Sequence, residues 1–353
     1  MAVNMADIAR VAGVGKATVS LALRNDTRLR EETRLHIQGV AERLGYTPNA
    51  VVANLMAQLR ASKNPKYQST LGLLNASNHP DALRTNFTFR TWTEGLAAHS
   101  AELGYGLDEF WLRDPAVDPA RLRQILRARN IRGVVIAGVL EHREIPARFD
   151  LLWRDLACVV VGVRPERPAL HFACNDQYST ALHAAEELQR LGYRRPGLVI
   201  DPAIEENIDH RFTAGFYSGP PRFEERLPGW DFHTEQKTGF FQWLKRHHPD
   251  VVVTTHPEIR SWLKEHGLAC PKDIGLIHLD LTREVEGWSG MKQSNHLVGA
   301  FAVDLLIGQL HRNEKGIPEC PRCMMVESLW VPGSTVRRSA EEKVPGRKKK
   351  KTA

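Results

Sequence analysis

Apolar and polar positions change rhythm along the 353 residues. Between residues 5 and 45 the apolar positions recur every three or four residues in three short runs, the period of amphipathic helices. Ile8, Ala9, Val11 and Ala12 supply the buried side of the first. Val14, Val19 and Leu23 carry the stripe through a second, spanning roughly Lys16 to Leu23. Arg30-Glu31-Glu32-Thr33 opens a third, whose apolar face is Leu35, Ile37, Val40, Ala41 and Leu44. From residue 70 the rhythm changes to short unbroken apolar runs that alternate with helical patterns. Leu71–Leu74, Gly106–Trp111, Gly133–Ala137, Cys158–Gly162, Gly197–Ile200, Asp250–Thr254 and Ile274–His278 read as strands. Phe89–Leu103, Arg121–Arg129 and Ser179–Leu191 read as helices, the first closed by Gly104 and the third by Gly192. Such alternation predicts parallel sheets with helices on both faces. The stretch 60–69 is polar and contains Pro65, so it reads as a linker between the two regions.

The first two helices are joined in a particular way. Asn4 is placed to cap the first, with Asp7 as its capping-box partner three residues on. Gly13 ends it, as a residue just past a helix end that needs positive φ. Ala12-Gly13-Val14 thus forms a tight turn between two helices of about eight residues each, the spacing of a helix-turn-helix. In that motif the first turn of the second helix enters the major groove, which here presents Lys16, Ala17 and Thr18. Lys16 can reach a guanine O6/N7 edge. Thr33 and Arg34, at the start of the third helix, face the phosphate backbone in this reading. A small helical bundle that touches no DNA would show the same stripes; the Gly turn and the helix lengths argue against it.

At this point the chain resembles the LacI family of bacterial transcription regulators. Asp7-Ile8-Ala9, Ala12-Gly13-Val14, Thr18-Val19-Ser20, Thr33-Arg34 and Leu44-Gly45-Tyr46-Thr47-Pro48-Asn49 carry the resemblance, which continues more weakly to about residue 336. It implies an all-α helix-turn-helix DNA-binding domain over 1–59, including a hinge helix at about Asn49 to Gln58. In the family, paired hinge helices push a Leu into the minor groove, and Leu55 stands at that position, flanked by Val52 and Met56. Such a wedge unstacks a base step and bends the duplex; ordinary amphipathic core is the other reading of Leu55. The DNA-facing set implied is Asn4, Met5, Gly15, Lys16, Ala17, Thr18, Ser20, Leu21, Arg24, Arg30, Thr33, Arg34, Tyr46, Asn49, Val52 and Leu55. Three positions depart from the family pattern. Gly15 replaces a capping Ser, Arg30 replaces another Ser, and Leu21 stands where some members carry a polar base reader.

For the body, 70–336, the resemblance implies two doubly wound α/β subdomains like those of periplasmic sugar-binding proteins. They would comprise about 70–174 with 294–324, and about 175–291 with 325–336, with an effector in the cleft between them. Asp176 and Asp280 match acidic family positions, and each would serve equally as a helix cap or turn former. Arg211 lies near the family's effector arginine, but the spacing is Arg-x-x-x-Gly rather than Arg-x-x-Gly, and Phe212 takes the matching register. His256-Pro257 stands where the family has Asn-Asp. Trp92, Trp288 and Phe87 are offered as stacking faces for a sugar ring, and aromatics of this kind are commonly core. The function implied is that of a transcription regulator of repressor type, acting as a homodimer on a pseudo-palindromic operator and modulated by a sugar.

Composition fits this picture. The net charge of +7 is concentrated at the two ends. Residues 1–63 hold nine Lys/Arg against five Asp/Glu, and residues 337–353 hold eight against two, which leaves the body mildly acidic. The basic tail 337–353 is poor in apolar residues and is expected to be disordered, adding at most non-specific phosphate attraction. Arg10 and Lys16 interrupt the early apolar positions, so no signal peptide is expected, and no apolar run is long enough to span a membrane. Five cysteines in no framework spacing suit a reducing, cytoplasmic compartment. Cys320-Pro-Arg-Cys323 is a lone CxxC, short of the ligands a zinc site needs. No metal, cofactor or catalytic constellation is expected, and the chain is not read as an enzyme. The competing class is a solute-binding protein without a transcriptional role.

Overall fold

The computed structural model describes residues 5–23, 26–45, 69–139, 143–219, 223, 227–233, 237–281 and 285–337. The expected hinge helix, with Tyr46, Asn49, Val52 and Leu55, lies outside the described residues, as do Asn4, Arg24, the linker residues 60–68 and most of the basic tail. The chain divides into two compact units, Met1–Ala173 with Asn295–Met324, and Cys174–Ser294 with Met325–Ala353.

Three helices open the first unit: α1 (Met5–Ala12), α2 (Lys16–Leu23) and α3 (Glu31–Arg43). They share a small core of Ile8, Ala9, Val19, Ala22, Ile37, Val40 and Ala41. Val11 and Leu35 were expected in it, but they are 55% and 57% exposed. Helical geometry explains both corrections. At 3.6 residues per turn, Ile8, Ala9 and Ala12 define one side of α1 and Val11 falls well off it. Likewise Ile37, Val40, Ala41 and Leu44 line one side of α3, and Leu35 points roughly the opposite way.

A parallel sheet follows, built from β1 (Ser69–Asn75), β2 (Tyr105–Trp111), β3 (Gly133–Ala137), β4 (Ala157–Val161) and β5 (His171–Asn175), with a late strand β11 (Cys323–Val326). Its order is β11-β5-β4-β3-β1-β2. Helices α4 (Ala82–Thr85), α5 (Phe87–Glu102), α6 (Pro119–Ala128), α7 (Asp150–Trp153) and α13 (Asn295–Arg312) complete this unit. Strands β3, β4 and β5 are buried along their whole length. Cover on both faces is why their sequences run apolar without alternation.

Helices α5 and α13 approach closely through glycine. A Cβ on Gly95 would lie 1.9 Å from the His296 carbonyl oxygen, and one on Gly299 would lie 1.9 Å from that of Trp92. Trp92 itself is 6% exposed, donates from Nε1 to Asn295 Oδ1 at 3.0 Å, and fills the space beside Gly162. It is core, which corrects its expected role as a sugar platform.

The second unit repeats the plan. Its sheet has the order β12-β10-β9-β8-β6-β7. The strands are β6 (Pro196–Ile200), β7 (Trp230–Asp231), β8 (Val251–Thr254), β9 (Gly275–His278), β10 (Ser289–Lys292) and β12 (Leu329–Val331), the last antiparallel to β10. Around it lie α8 (Gln177–Arg190), α9 (Pro202–Asn207), α10 (Arg211–Ser218), α11 (Lys237–His247) and α12 (Glu258–Glu265). Trp288 is 4% exposed within the cluster that covers one face, beside Phe240, Trp243 and Trp262. It too is core, and its ring lies nearly perpendicular to that of His278, centroids 5.5 Å apart.

Candidate functional site

The helix-turn-helix is held by specific bonds. Gly13 has φ +67°, and the Val14 N–H reaches back to the Ala9 carbonyl at 3.0 Å. That bond, from the second residue past the helix to its last full turn, is a Schellman closure. It drives Val14 into the core and turns the chain directly into α2. The Gly15 carbonyl accepts from Val19 N–H at 3.1 Å and so begins α2 without a side-chain cap. Val19 and Ala22 seat α2 on its neighbours, and Lys16 is exposed at its start. Thr18 and Leu21 are half-buried.

The second connection has its own staple. Asp26 accepts from the Arg28 backbone and pairs with its guanidinium at 2.8–3.0 Å. Gln38 Nε2 on α3 donates to the Ala22 carbonyl of α2 at 2.8 Å, tying the end of α2 to α3. Neither was foreseen from sequence, although an Asp two residues before an Arg in a loop is a recognisable turn signal. Met5, Gly15, Lys16 and Arg30 are exposed, and Thr33 and Arg34 are half-buried. Ala17 and Ser20 lie on α2. This domain therefore presents cationic side chains at the starts of both α2 and α3.

In the sheet of the first unit, the loop after β1 is organised by Asn75, which is fully buried. Its Oδ1 accepts from the Ser77 backbone and hydroxyl at 3.0 and 2.7 Å, and its Nδ2 donates to the carbonyls of His79 and Pro80. Gly138, at φ +81°, comes close to Ser77, where a Cβ would lie 3.0 Å away. These contacts shape a cavity of about 370 Å3 that includes Ser77, His79, Asn86, Phe89, Arg113 and Glu144. None was singled out from the sequence. The signal was available in Asn75-Ala-Ser-Asn-His79, a polar run placed directly after a buried strand.

In the second unit, the carboxyl ends of β8 and β9 carry polar atoms with no partner. Thr255 Oγ1, His256 Nε2 and His278 Nε2 are buried and make no hydrogen bond. Strands β8 and β9 pair Thr254 with His278, so His256 and Asp280 each follow two residues beyond that pair. His278 Nδ1 accepts from the Asp280 backbone N–H at 3.1 Å, which leaves the proton of the neutral ring on Nε2, an unused donor. Burial lowers the His278 pKa to about 4, only partly offset by the backbones of Thr255 and Asp280. Burial also lowers that of His256, and it pushes the Asp280 carboxyl up to about 7. His256 stacks on Phe232, ring centroids 3.6 Å apart, and Phe232 stacks on Trp262. A buried polar atom without a partner costs roughly 1–3 kcal/mol. This cluster of donors suits hydroxyl or carbonyl groups brought by a ligand.

The remaining candidates sit elsewhere in this unit. Asp176 caps α8, with its Oδ1 accepting from Ser179 N–H and its Oδ2 from the Ser179 hydroxyl. Arg211 begins α10, where its guanidinium lies 3.4 Å from Cys174 Sγ and 3.5 Å from Asp209. Phe212 is 3% exposed in the core, so it fills the register without reaching a ligand. Among the described residues, no group of three or more His, Cys, Asp or Glu side chains is placed to hold a metal ion. No described helix is long and apolar enough to cross a membrane.

Residues 4–49 match the family described as bacterial regulatory proteins, lacI family. The transcriptional regulator PtxS of Pseudomonas putida is 24% identical over 347 residues, covering 94% of this chain and 96% of that protein. The sucrose operon repressor of Escherichia coli is 26% identical over 195 residues, covering 55% of this chain and 54% of that one. Among solved structures, a lac repressor dimer bound to operator and an anti-inducer aligns with TM-score 0.55 at 19% identity, covering 96% of this chain and 100% of that one. A complex of the regulator CelR with cellobiose aligns with TM-score 0.54 at 17% identity, covering 94% and 99%. At these identities the two structures establish a shared fold.

Proposed function

Since the chain belongs to the LacI family of bacterial regulatory proteins, we propose that it represses transcription as a homodimer on a pseudo-palindromic operator and is controlled by a sugar. The observation that carries this reading is the Schellman-closed turn that delivers an exposed Lys16 at the start of α2. One such reader covers only one half-site, so useful specificity requires two. Lys16 takes a base edge, Arg30, Thr33 and Arg34 take phosphates, and Leu55 supplies the minor-groove wedge. The unpartnered polar atoms of Thr255, His256 and His278, with the Asp280 carboxyl, support a polyhydroxy effector in the second unit. The named ligands of relatives point the same way, to cellobiose in one and a sucrose operon in another. An effector that binds two states of the regulator unequally changes operator affinity by that same ratio, typically 5–150-fold.

Selection of bound fragments from genomic DNA, followed by gel shift with neutral sugars, tests the proposal. Enrichment of a sequence with two inverted half-sites, released or tightened by one sugar, is the expected result. A protein that retains no DNA fragment over another contradicts it.

A further inference from the structure

Two of the five cysteines stand apart from the rest. Cys158 and Cys174 are buried and Cys270 is half-buried, whereas Cys320 and Cys323 are both exposed. Burial raises the Cys158 thiol far above its usual value and pushes the Cys270 thiol up to about 11, so neither ionises readily. The thiolate is the nucleophile in sulfur chemistry, and it also needs access to its oxidant. The exposed pair is spaced as Cys320-Pro321-Arg322-Cys323. Two thiols at that spacing beside an α/β sheet form a pattern that supports exchange between dithiol and disulfide.

Arg322, between the two, fastens the start of β11 to β5. Its N–H donates to Nδ1 of the buried His171 at 2.7 Å, and its carbonyl accepts from the Phe172 N–H at 3.1 Å. Its guanidinium pairs with Glu314, which Arg312 also holds at 2.6 Å. Cys323 opens β11, which lies at the edge of the first sheet. The chain passes into the second unit just beyond it, after Met324. Pro321 and Arg322 lie in neither helix nor turn, and a proline favours extended backbone in the residue before it, here Cys320. Three residue steps of extended chain span roughly 10 Å. A disulfide holds its Cα atoms about 4.4–6.8 Å apart.

We propose that Cys320 and Cys323 form a reversible redox site, and that their oxidation to a disulfide draws 320–323 into a turn and takes Arg322 off His171 and Phe172. With hydrogen peroxide as oxidant, one thiolate attacks a peroxide oxygen and breaks the O–O bond, giving a sulfenic acid and one water. The second sulfur then displaces the hydroxyl group, forming the S–S bond and a second water. The two thiol protons leave in the two waters, the two sulfurs lose two electrons and the peroxide gains them. A dithiol reductant reverses the step by exchange. In a reducing compartment such a bond is transient, which suits a sensor rather than a permanent brace. The first sheet then frays where the chain leaves it for the second unit. Neither operator nor sugar enters this chemistry.

Treatment of the full chain with hydrogen peroxide, followed by alkylation, peptide mapping by mass and hydrogen exchange, tests this. The oxidised chain is expected to lose two hydrogens, to carry Cys320 and Cys323 joined in one disulfide, and to regain both thiols with dithiothreitol. Its Phe172 amide should exchange at least ~10-fold faster than in the reduced chain, as a locally opened strand edge does. Cys320→Ser and Cys323→Ser should each abolish both the disulfide and the faster exchange, while their melting in the reduced state stays that of the parent. Comparison of the parent chain in its two redox states decides the matter even where a variant folds poorly. Both thiols still open to alkylation after peroxide overturns the proposal, as does a bond from either cysteine to another chain in place of the internal one. A Cys320–Cys323 disulfide that leaves Phe172 exchange unchanged overturns the release of Arg322. So does faster exchange under peroxide in the Cys320→Ser chain.

Discussion

At the scale of single residues, the two functional regions ask different things of their side chains. In α2, Lys16 is exposed while Val19 and Ala22 hold the helix from behind, the arrangement that the proposed base contact requires. Lys16→Ala should therefore relax the preference at one base pair, at a cost of roughly 1–3 kcal/mol against the preferred base. Arg34→Ala should instead weaken all sites about equally and lower the salt slope by about one unit. Binding to a library of single-base operator variants at two salt concentrations distinguishes them; a uniform loss for Lys16→Ala would remove its reading role.

In the second unit the relevant property is protonation. Asp280 has a folded pKa of about 7 against 3.8 unfolded, so folding favours its neutral form, and that stability is lost as pH rises from about 4 to 7. His278 has a folded pKa of about 4 against 6.5, so its neutral form is favoured and stability is lost as pH falls from about 6.5 to 4. The two slopes oppose each other between about pH 4 and 6.5. Asp280→Asn should stabilise the chain at pH 7 and uncover the His278 slope on acidification. Urea midpoints of parent and variant at pH 4.5 and 7 measure this. An unchanged difference between parent and variant across that range would show that Asp280 ionises as an ordinary carboxylate.

Legibility from sequence also varied by residue. Lys16, Gly13, His256 and Asp280 stood out because each follows a turn or strand end that a pattern can locate. The partners of Asn75 and the orphaned nitrogen of His278 depend on which loop folds back where, and no local spacing encodes that. Trp92 and Trp288 show the converse. An aromatic beside a strand end looks like a ligand platform until the glycine or helix that covers it is known, here Gly162 for Trp92.

At the scale of elements, strands buried on both faces were the most readable. Gly133–Ala137 carries five apolar or small residues in a row and forms β3 without adjustment. His171–Asn175 was not recognised, because its ends are polar, and both His171 and Asn175 are buried by tertiary contacts. The His171 ring accepts the Arg322 backbone N–H at 2.7 Å, a partner 151 residues away. Helix α13 likewise lacks a clear polar face, since it packs on both α5 and the sheet.

Glycines give a graded test of these elements. Gly13→Ala introduces a Cβ into open space and incurs only the left-handed backbone penalty, roughly 1–2 kcal/mol. Gly299→Ala places a Cβ 1.9 Å from a backbone oxygen of α5, which cannot give way as a side chain would. Overpacking of that kind costs typically 1–3 kcal/mol or more, so Gly299→Ala should lower the melting temperature of the body further than Gly13→Ala lowers that of the DNA reader. Equal, small effects would mean that α5 and α13 do not pack through these glycines. The same pair of helices is joined by His99 and Asp304 at 2.8 Å. Burial opposes protonation of His99, but hydrogen bonds to Asp304 and Glu102 outweigh it and raise its pKa. This link is present at low pH and is lost as pH rises through the raised value.

At the scale of the whole molecule, a basic helix-turn-helix domain precedes an α/β body for which ligand control is proposed. Positive charge at the chain ends favours encounter with DNA at low salt and supplies affinity without sequence preference. In the proposed reading, specificity comes from the helix-turn-helix, and response comes from polar atoms of the second unit that are buried without a hydrogen bond. The doubly wound plan was legible because strand and helix patterns alternate throughout the body. The identity of the effector was not, because it depends on which loop side chains converge.

Equilibrium binding of the full chain to fragments selected from genomic DNA, measured by fluorescence anisotropy with and without a panel of neutral and anionic sugars, tests the central claim most directly. The account predicts one inverted-repeat sequence bound at least ~10³-fold more tightly than bulk DNA, with that affinity shifted several-fold or more by a sugar. Equal affinity for all sequences, or an operator affinity that no sugar in the panel changes, would contradict it.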